Sequence, residues 1–129
     1  MTVSVELIRR LDGTTVVFLI HRNKGIKKKT ALGYIDGEVF FKPHSVIYRN
    51  ENSIGIEKRI LKVLKEEGVR WINVKIGKGW YPVPIGYWLN NYDFTIRWRG
   101  EDQHHIRIPR IKMLADMHRD GYMRMKWRR

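Results

Sequence analysis

Three short stretches of the chain alternate cations with apolar residues in a way that suits phosphate chemistry. They are VRWINVKI (69–76), FTIRWRG (94–100) and HHIRIPR (104–110). Strand alternation sets Lys75 with Trp71, Arg97 with Arg99, and Arg107 with His105, each on the side opposite an apolar row. Guanidinium groups bind phosphate oxygens through forked, bidentate donors. An indole beside them is a surface on which an exposed base can stack, which makes Trp71 the stacking candidate. If the three strands share a sheet, this face is a cationic platform. The plainer reading is the wet side of an antiparallel sheet, where arginine is ordinary.

Two further segments concentrate positive charge. HRNKGIKKKT (21–30) holds Lys27, Lys28 and Lys29 with Arg22 and Lys24 and no acid. It reads as a basic loop between hairpins that can follow a phosphate backbone; its plainer role is to blunt a sheet edge and aid solubility. Residues 119–129 form a basic C-terminal tail in which Arg119, Arg124, Lys126, Arg128 and Arg129 face Asp120 alone. Alternation of Met123, Met125 and Trp127 with cations reads as a last strand with one face docked.

Groups for catalysis are sparse. His104 and His105 follow Glu101 and Asp102, a set that could hold a divalent ion and a general base for phosphodiester hydrolysis. No His-x-x-x-His spacing accompanies them, and no phosphate-cradling P-loop or other cofactor signature occurs. Asp36 and Glu38 flank a turn glycine, and MHRDG (117–121) matches a kinase loop in letters only. No catalytic residue, metal ligand or cofactor is assigned, and the chain is read as a non-enzyme. Trp80, Tyr81, Tyr87 and Trp88, spaced by Pro and Gly, read as aromatics packing a loop onto the core.

The charge balance supports the phosphate reading. Lys and Arg number 26 against 13 acidic residues, a net +13 with a pI near 10.3. That imbalance costs compactness through self-repulsion and favours polyanions, of which nucleic acid is the commonest. With 43% hydrophobic residues among 129, the chain can bury one core, so one domain over 1–129 is expected. No apolar run reaches the length of a membrane span, and MTVSVELIRR has no signal-peptide layout. The absence of cysteine excludes disulfides and thiolate-bound zinc, and a reducing cytoplasm is the expected setting. A single glutamine with abundant Lys, Arg, Glu and Ile leans towards a thermophile.

The elements that must position these groups are mostly hairpins. Asp12-Gly13 suits a type I′ turn between strands near Thr2–Leu11 and Thr14–His21, the second apolar on both faces and therefore central. Asp36-Gly37 turns between Ala31–Ile35 and Glu38–Phe41. Ile56, Ile60, Val63 and Leu64 recur at helical spacing, which predicts a helix over 52–67 capped by Asn52 or Ser53 and closed by Gly68. In the strand 70–76, Ile72, Val74 and Ile76 point inward and Asn73 outward with Trp71 and Lys75. A short helix begins near Pro84, 94–99 and 104–109 pair around RGEDQ, and RIKMLADMHRD is helical. The expected fold is α+β, a largely antiparallel sheet of hairpins with one main helix packed on a face.

The succession of His44, GIEKRILKVLKEEGV, INVKI, GWYPVPIGYWLNNYDF and Gln103 ahead of IRIP resembles small uncharacterised proteins of phages and mobile elements, over residues 40–112. That resemblance implies a genomic setting and no chemistry. The expected function is that of a small basic protein binding DNA or RNA through phosphates. The alternatives are a module or inhibitor that presents its cations to an acidic protein, and a metal-dependent nuclease at His104 and His105.

Overall fold

The computed structural model describes residues 2–41, 53–76, 79–93, 95 and 105–120. The fold is α+β: a large, mostly antiparallel sheet of hairpins with helices. The six strands of that sheet are β1 (Thr2–Arg9), β2 (Thr15–Asn23), β3 (Ile26–Asp36), β4 (Val39–Phe41), β6 (Trp71–Ile76) and β7 (Gly79–Pro84), in the order β1-β2-β3-β4-β6-β7. All neighbours are antiparallel except β4 and β6, which run parallel. A second sheet pairs β5 (Ser53–Glu57) with β8 (His105–Pro109). The helices are α1 (Lys58–Glu66), α2 (Ile85–Asn90) and α3 (Arg110–Arg119). Among the described residues no helix is long and apolar enough to cross a membrane.

One core joins these layers. Alternate residues Val17, Leu19, Phe40, Ile72, Val74 and Val83 give one face of the large sheet. The Ile54–Ile108 and Ile56–Ile106 cross-strand pairs of the small sheet meet that face. Ile60, Leu61 and Leu64 of α1, Trp88 of α2, and Met113 and Met117 of α3 complete it. Tyr81 and Trp88 are therefore core residues, as the Pro- and Gly-spaced aromatics suggested, and α2 begins directly after Pro84.

The predicted helix over 52–67 is half strand. Residues 53–57 alternate Ile54 and Ile56 with Ser53, Gly55 and Glu57, and pairing with β8 buries both isoleucines to 1% and 3%. Tertiary pairing outweighs the helical spacing here, because β-branched residues with a glycine between them fit a pleat better than a helix. The helix starts after Glu57, whose carboxylate accepts from the Arg59 N–H at 3.4 Å. It closes as expected at Gly68 (φ +83). There the Gly68 N–H donates to the Lys65 carbonyl and the Val69 N–H to the Leu64 carbonyl, a Schellman motif.

The type I′ turn lies elsewhere than expected. At Asp12-Gly13 only the glycine has positive φ, and Arg10–Thr14 form a longer loop. The Arg10 N–H donates to the Thr14 carbonyl, and the Thr14 N–H and Oγ1 both donate to Asp12 Oδ1. These donors, with Arg10 beside them, hold the Asp12 carboxyl below its ordinary range. Lys24 (φ +50) and Gly25 (φ +79) instead make the two-residue turn between Asn23 and Ile26, and positive φ at both positions is the type I′ signature. HRNKGIKKKT is consequently not a loop. It is the far half of a hairpin, with Lys27, Lys28 and Lys29 inside β3.

Candidate nucleic-acid interface

VRWINVKI and HHIRIPR, expected to share one cationic sheet face with FTIRWRG, lie in different sheets, and FTIRWRG apart from Thr95 lies outside the described residues. β6 sits in the large sheet, whereas β8 sits in the small one against β5. Arg107 is half-buried on the outer side of the small sheet, directly opposite Gly55. Of the strand expected over 94–99 only Thr95 is described; it follows the helical turn at 92–93, and its N–H donates to the Asn91 carbonyl. Its hydroxyl donates to the Arg107 carbonyl at 2.8 Å and accepts from the Arg107 N–H at 3.1 Å, the two bonds a neighbouring strand would have made. A threonine two residues before Arg97 thus serves the backbone of β8 from outside the sheet. Arg97, Arg99, Arg124, Lys126, Arg128, Arg129, His104 and the side chain of Lys75 lie outside the described residues.

Trp71 is half-exposed in β6, beside Val39 in β4 and Pro84 in β7. It is separated from β2 by β3 and β4, roughly 14 Å at ordinary strand spacing. It therefore stands apart from the basic hairpin. Asn73, expected outward, is 1% exposed, and among the described residues both its amide atoms lack hydrogen-bond partners.

What the structure does assemble is a cationic blade from β2 and β3. β1 flanks it up to the Thr2–Arg22 pair, and β4 meets β3 only from Tyr34 to Asp36. Residues 22–31 are exposed throughout. Antiparallel register puts directly opposed residues on the same face. Arg22 and Lys27 therefore share one face with the Ile20–Lys29 pair, while His21 and Lys28 share the other with Asn23 and Ile26. Lys29 is tied down: its ammonium is 3.2 Å from Glu6 and lies 4.3 Å from the Phe18 ring centre. Arg22, Lys24, Lys27 and Lys28 have no ion-pair partner among the described residues. Like charges directly opposed across a hairpin, as in Arg22–Lys27, are destabilising. A chain that keeps four unneutralised cations in ten exposed residues tolerates that cost.

His21, Asn23 and Ile26 were not singled out from the sequence. The signal was present in the Lys-Gly pair between an apolar-led run and an alternating one. The loop reading hid it.

Elsewhere the polar groups hold the fold. Asp116 of α3 is 6% exposed and accepts from the Tyr87 hydroxyl of α2, from Lys112 Nζ at 2.7 Å, and pairs with Arg119 at 3.3 Å. Burial alone would raise the Asp116 pKa, but the Lys112 and Tyr87 hydrogen bonds and both cations outweigh it and leave it lowered. Tyr87 is pushed well above the ordinary tyrosine range by burial and by its bond to Asp116. Glu57, 7% exposed, lies 3.8 Å from His105 and 4.0 Å from Arg59. Among the described residues no three His, Asp or Glu side chains cluster as metal ligands. Comparison with protein-family models, curated proteins and solved structures returns no match to this chain.

Proposed function

We propose that this protein binds nucleic acid, chiefly through phosphates, with the β2–β3 blade as its principal contact. The observation that supports the reading is the set Arg22, Lys24, Lys27 and Lys28: exposed, without ionic partners among the described residues, and distributed over both faces of one projecting hairpin. On one strand, alternate residues stand about 6.8 Å apart, close to the separation of neighbouring phosphates along an extended strand. Affinity would come from counterion release and so decline steeply with salt. The test is fluorescence anisotropy of labelled DNA and RNA at 50 and 200 mM salt. Binding at the lower concentration that weakens sharply at the higher supports the reading, and no binding at the lower sinks it. A cytoplasmic location suits such a role and the cysteine-free chain.

One observation favours a second reading. From Ile26 to Leu32 the outer edge of β3 is unpaired among the described residues, and an exposed edge can accept an extended segment as an added strand. An acidic peptide would pair its charges with Lys27 and Lys28, which have no ionic partner among the described residues. Saturable binding of poly-glutamate with no binding of nucleic acid would select this reading.

A further inference from the structure

We infer that the target of the blade is duplex DNA, entered tip-first through the major groove. This rests on the nucleic-acid reading above and adds the form of nucleic acid and the groove. The first ground is size. Beyond the Thr2–Arg22 pair only Asn23, Lys24, Gly25 and Ile26 project, two residues on each strand, which gives a reach of about 7 Å. A sheet with side chains on both faces is about 10 Å thick. The B-form major groove, about 12 Å wide and 8.5 Å deep, admits that tip, whereas the minor groove at about 6 Å does not. The deep, narrow major groove of A-form RNA excludes it as well.

The second ground is the placement of charge. A groove has phosphates along both rims, and the hairpin carries cations on both faces at and just behind the base of the tip: Arg22 with Lys27 on one, Lys28 on the other, with Lys24 at the turn. A single strand lying on one face would leave half of these unused. The third ground is what the tip presents beside its turn, on the face it shares with Lys28. Asn23 and Ile26 are a directly opposed pair, and Ile26 is 72% exposed although it is large and apolar. An asparagine amide matches the N6 and N7 edge of adenine, and an apolar side chain packs on the thymine methyl. One amide beside one aliphatic group therefore fits one A·T pair.

The test compares a 20-base-pair DNA duplex, the RNA duplex of the same sequence, and the single DNA strand, by anisotropy with the full chain. The DNA duplex is expected to bind at least tenfold tighter than either other probe. Replacing every thymine by uracil, which removes the methyl groups, should weaken the wild-type protein about fourfold, the loss of one buried methyl. The Ile26→Ala variant should respond to that replacement less than twofold. Equal binding of RNA and DNA duplexes, a preference for the single strand, or no response to uracil overturns the groove inference and leaves phosphate binding standing. Failure of all probes to bind at 50 mM salt overturns the nucleic-acid reading itself.

Discussion

The double substitution Lys27→Gln/Lys28→Gln removes one cation from each face of the blade and leaves the side chains nearly as long. Both lysines are exposed, so folding stability should change by no more than about 0.5 kcal/mol. The binding consequence follows from counting phosphates. If Arg22, Lys24, Lys27 and Lys28 each neutralise one phosphate of a duplex, the slope of log affinity against log salt is about −3.6. Affinity then falls roughly 150-fold between 50 and 200 mM salt. With two cations removed the slope becomes about −1.8, and the same change of salt costs only about 12-fold. The assay is a titration of a labelled 20-base-pair duplex at four salt concentrations, with circular dichroism to verify the fold. A folded double variant that keeps the wild-type slope would refute the reasoning, because the phosphates would then be met by other residues.

Three further outcomes test the fold around the blade. Asn73→Val should raise the melting temperature, gaining about 1–3 kcal/mol by removing a buried amide without partners and adding a better strand former; a lower melting temperature would show that the amide is satisfied by something it binds. Gly33→Ala should destabilise by about 1–3 kcal/mol, since its Cβ would collide with the Phe41 carbonyl oxygen and crowd the Phe40 ring; unchanged thermal unfolding contradicts this packing. Asp116 has a lowered folded pKa, so its contribution is present above the unfolded value of about 3.9 and is lost as pH falls through the folded value. Asp116→Asn should therefore destabilise at pH 7 by about 1.5–3 kcal/mol and flatten the acid limb of the stability curve, and parallel curves for both proteins would contradict the network.

How much of this was legible in the chain depends on whether a signal was local. The central place of β2 followed from Val16–Ile20 being apolar on both faces, and it lies between β1 and β3. Gly68 as a helix stop is chemistry within five residues, and it was readable for that reason. The start of α1 was misread because only contact with Ile106 and Ile108, some fifty residues away, makes Ile54 and Ile56 strand residues. The expected adjacency of β6 and β8 failed in the same way: alternation shows which residues share a side of a strand, but not which strands are neighbours. Asn73 obeys the alternation and is buried all the same, so the outer side of β6 is covered at that position although Trp71 beside it is half-exposed. The blade was missed through a smaller error: HRNKGIKKKT reads as a loop by its charge, whereas Lys24-Gly25 is a two-residue turn with positive φ at both positions.

The parallel meeting of β4 and β6 has a kinetic consequence. β1 to β4 form a meander closed by short turns, and β6 with β7 is another local hairpin. The seam between them consists of Val39–Trp71, Phe40–Ile72 and Phe41–Asn73, and closing it requires a loop of about thirty residues that also contains β5 and α1. Loop-closure entropy must be met before those three pairs stabilise anything, so the seam is expected to form late and to limit the folding rate. The hairpin that carries Arg22, Lys24, Lys27 and Lys28 belongs to the early, local half. A hairpin with four exposed cations would thus exist before the rest of the sheet is joined to it, and a polyanion present during folding could meet it early.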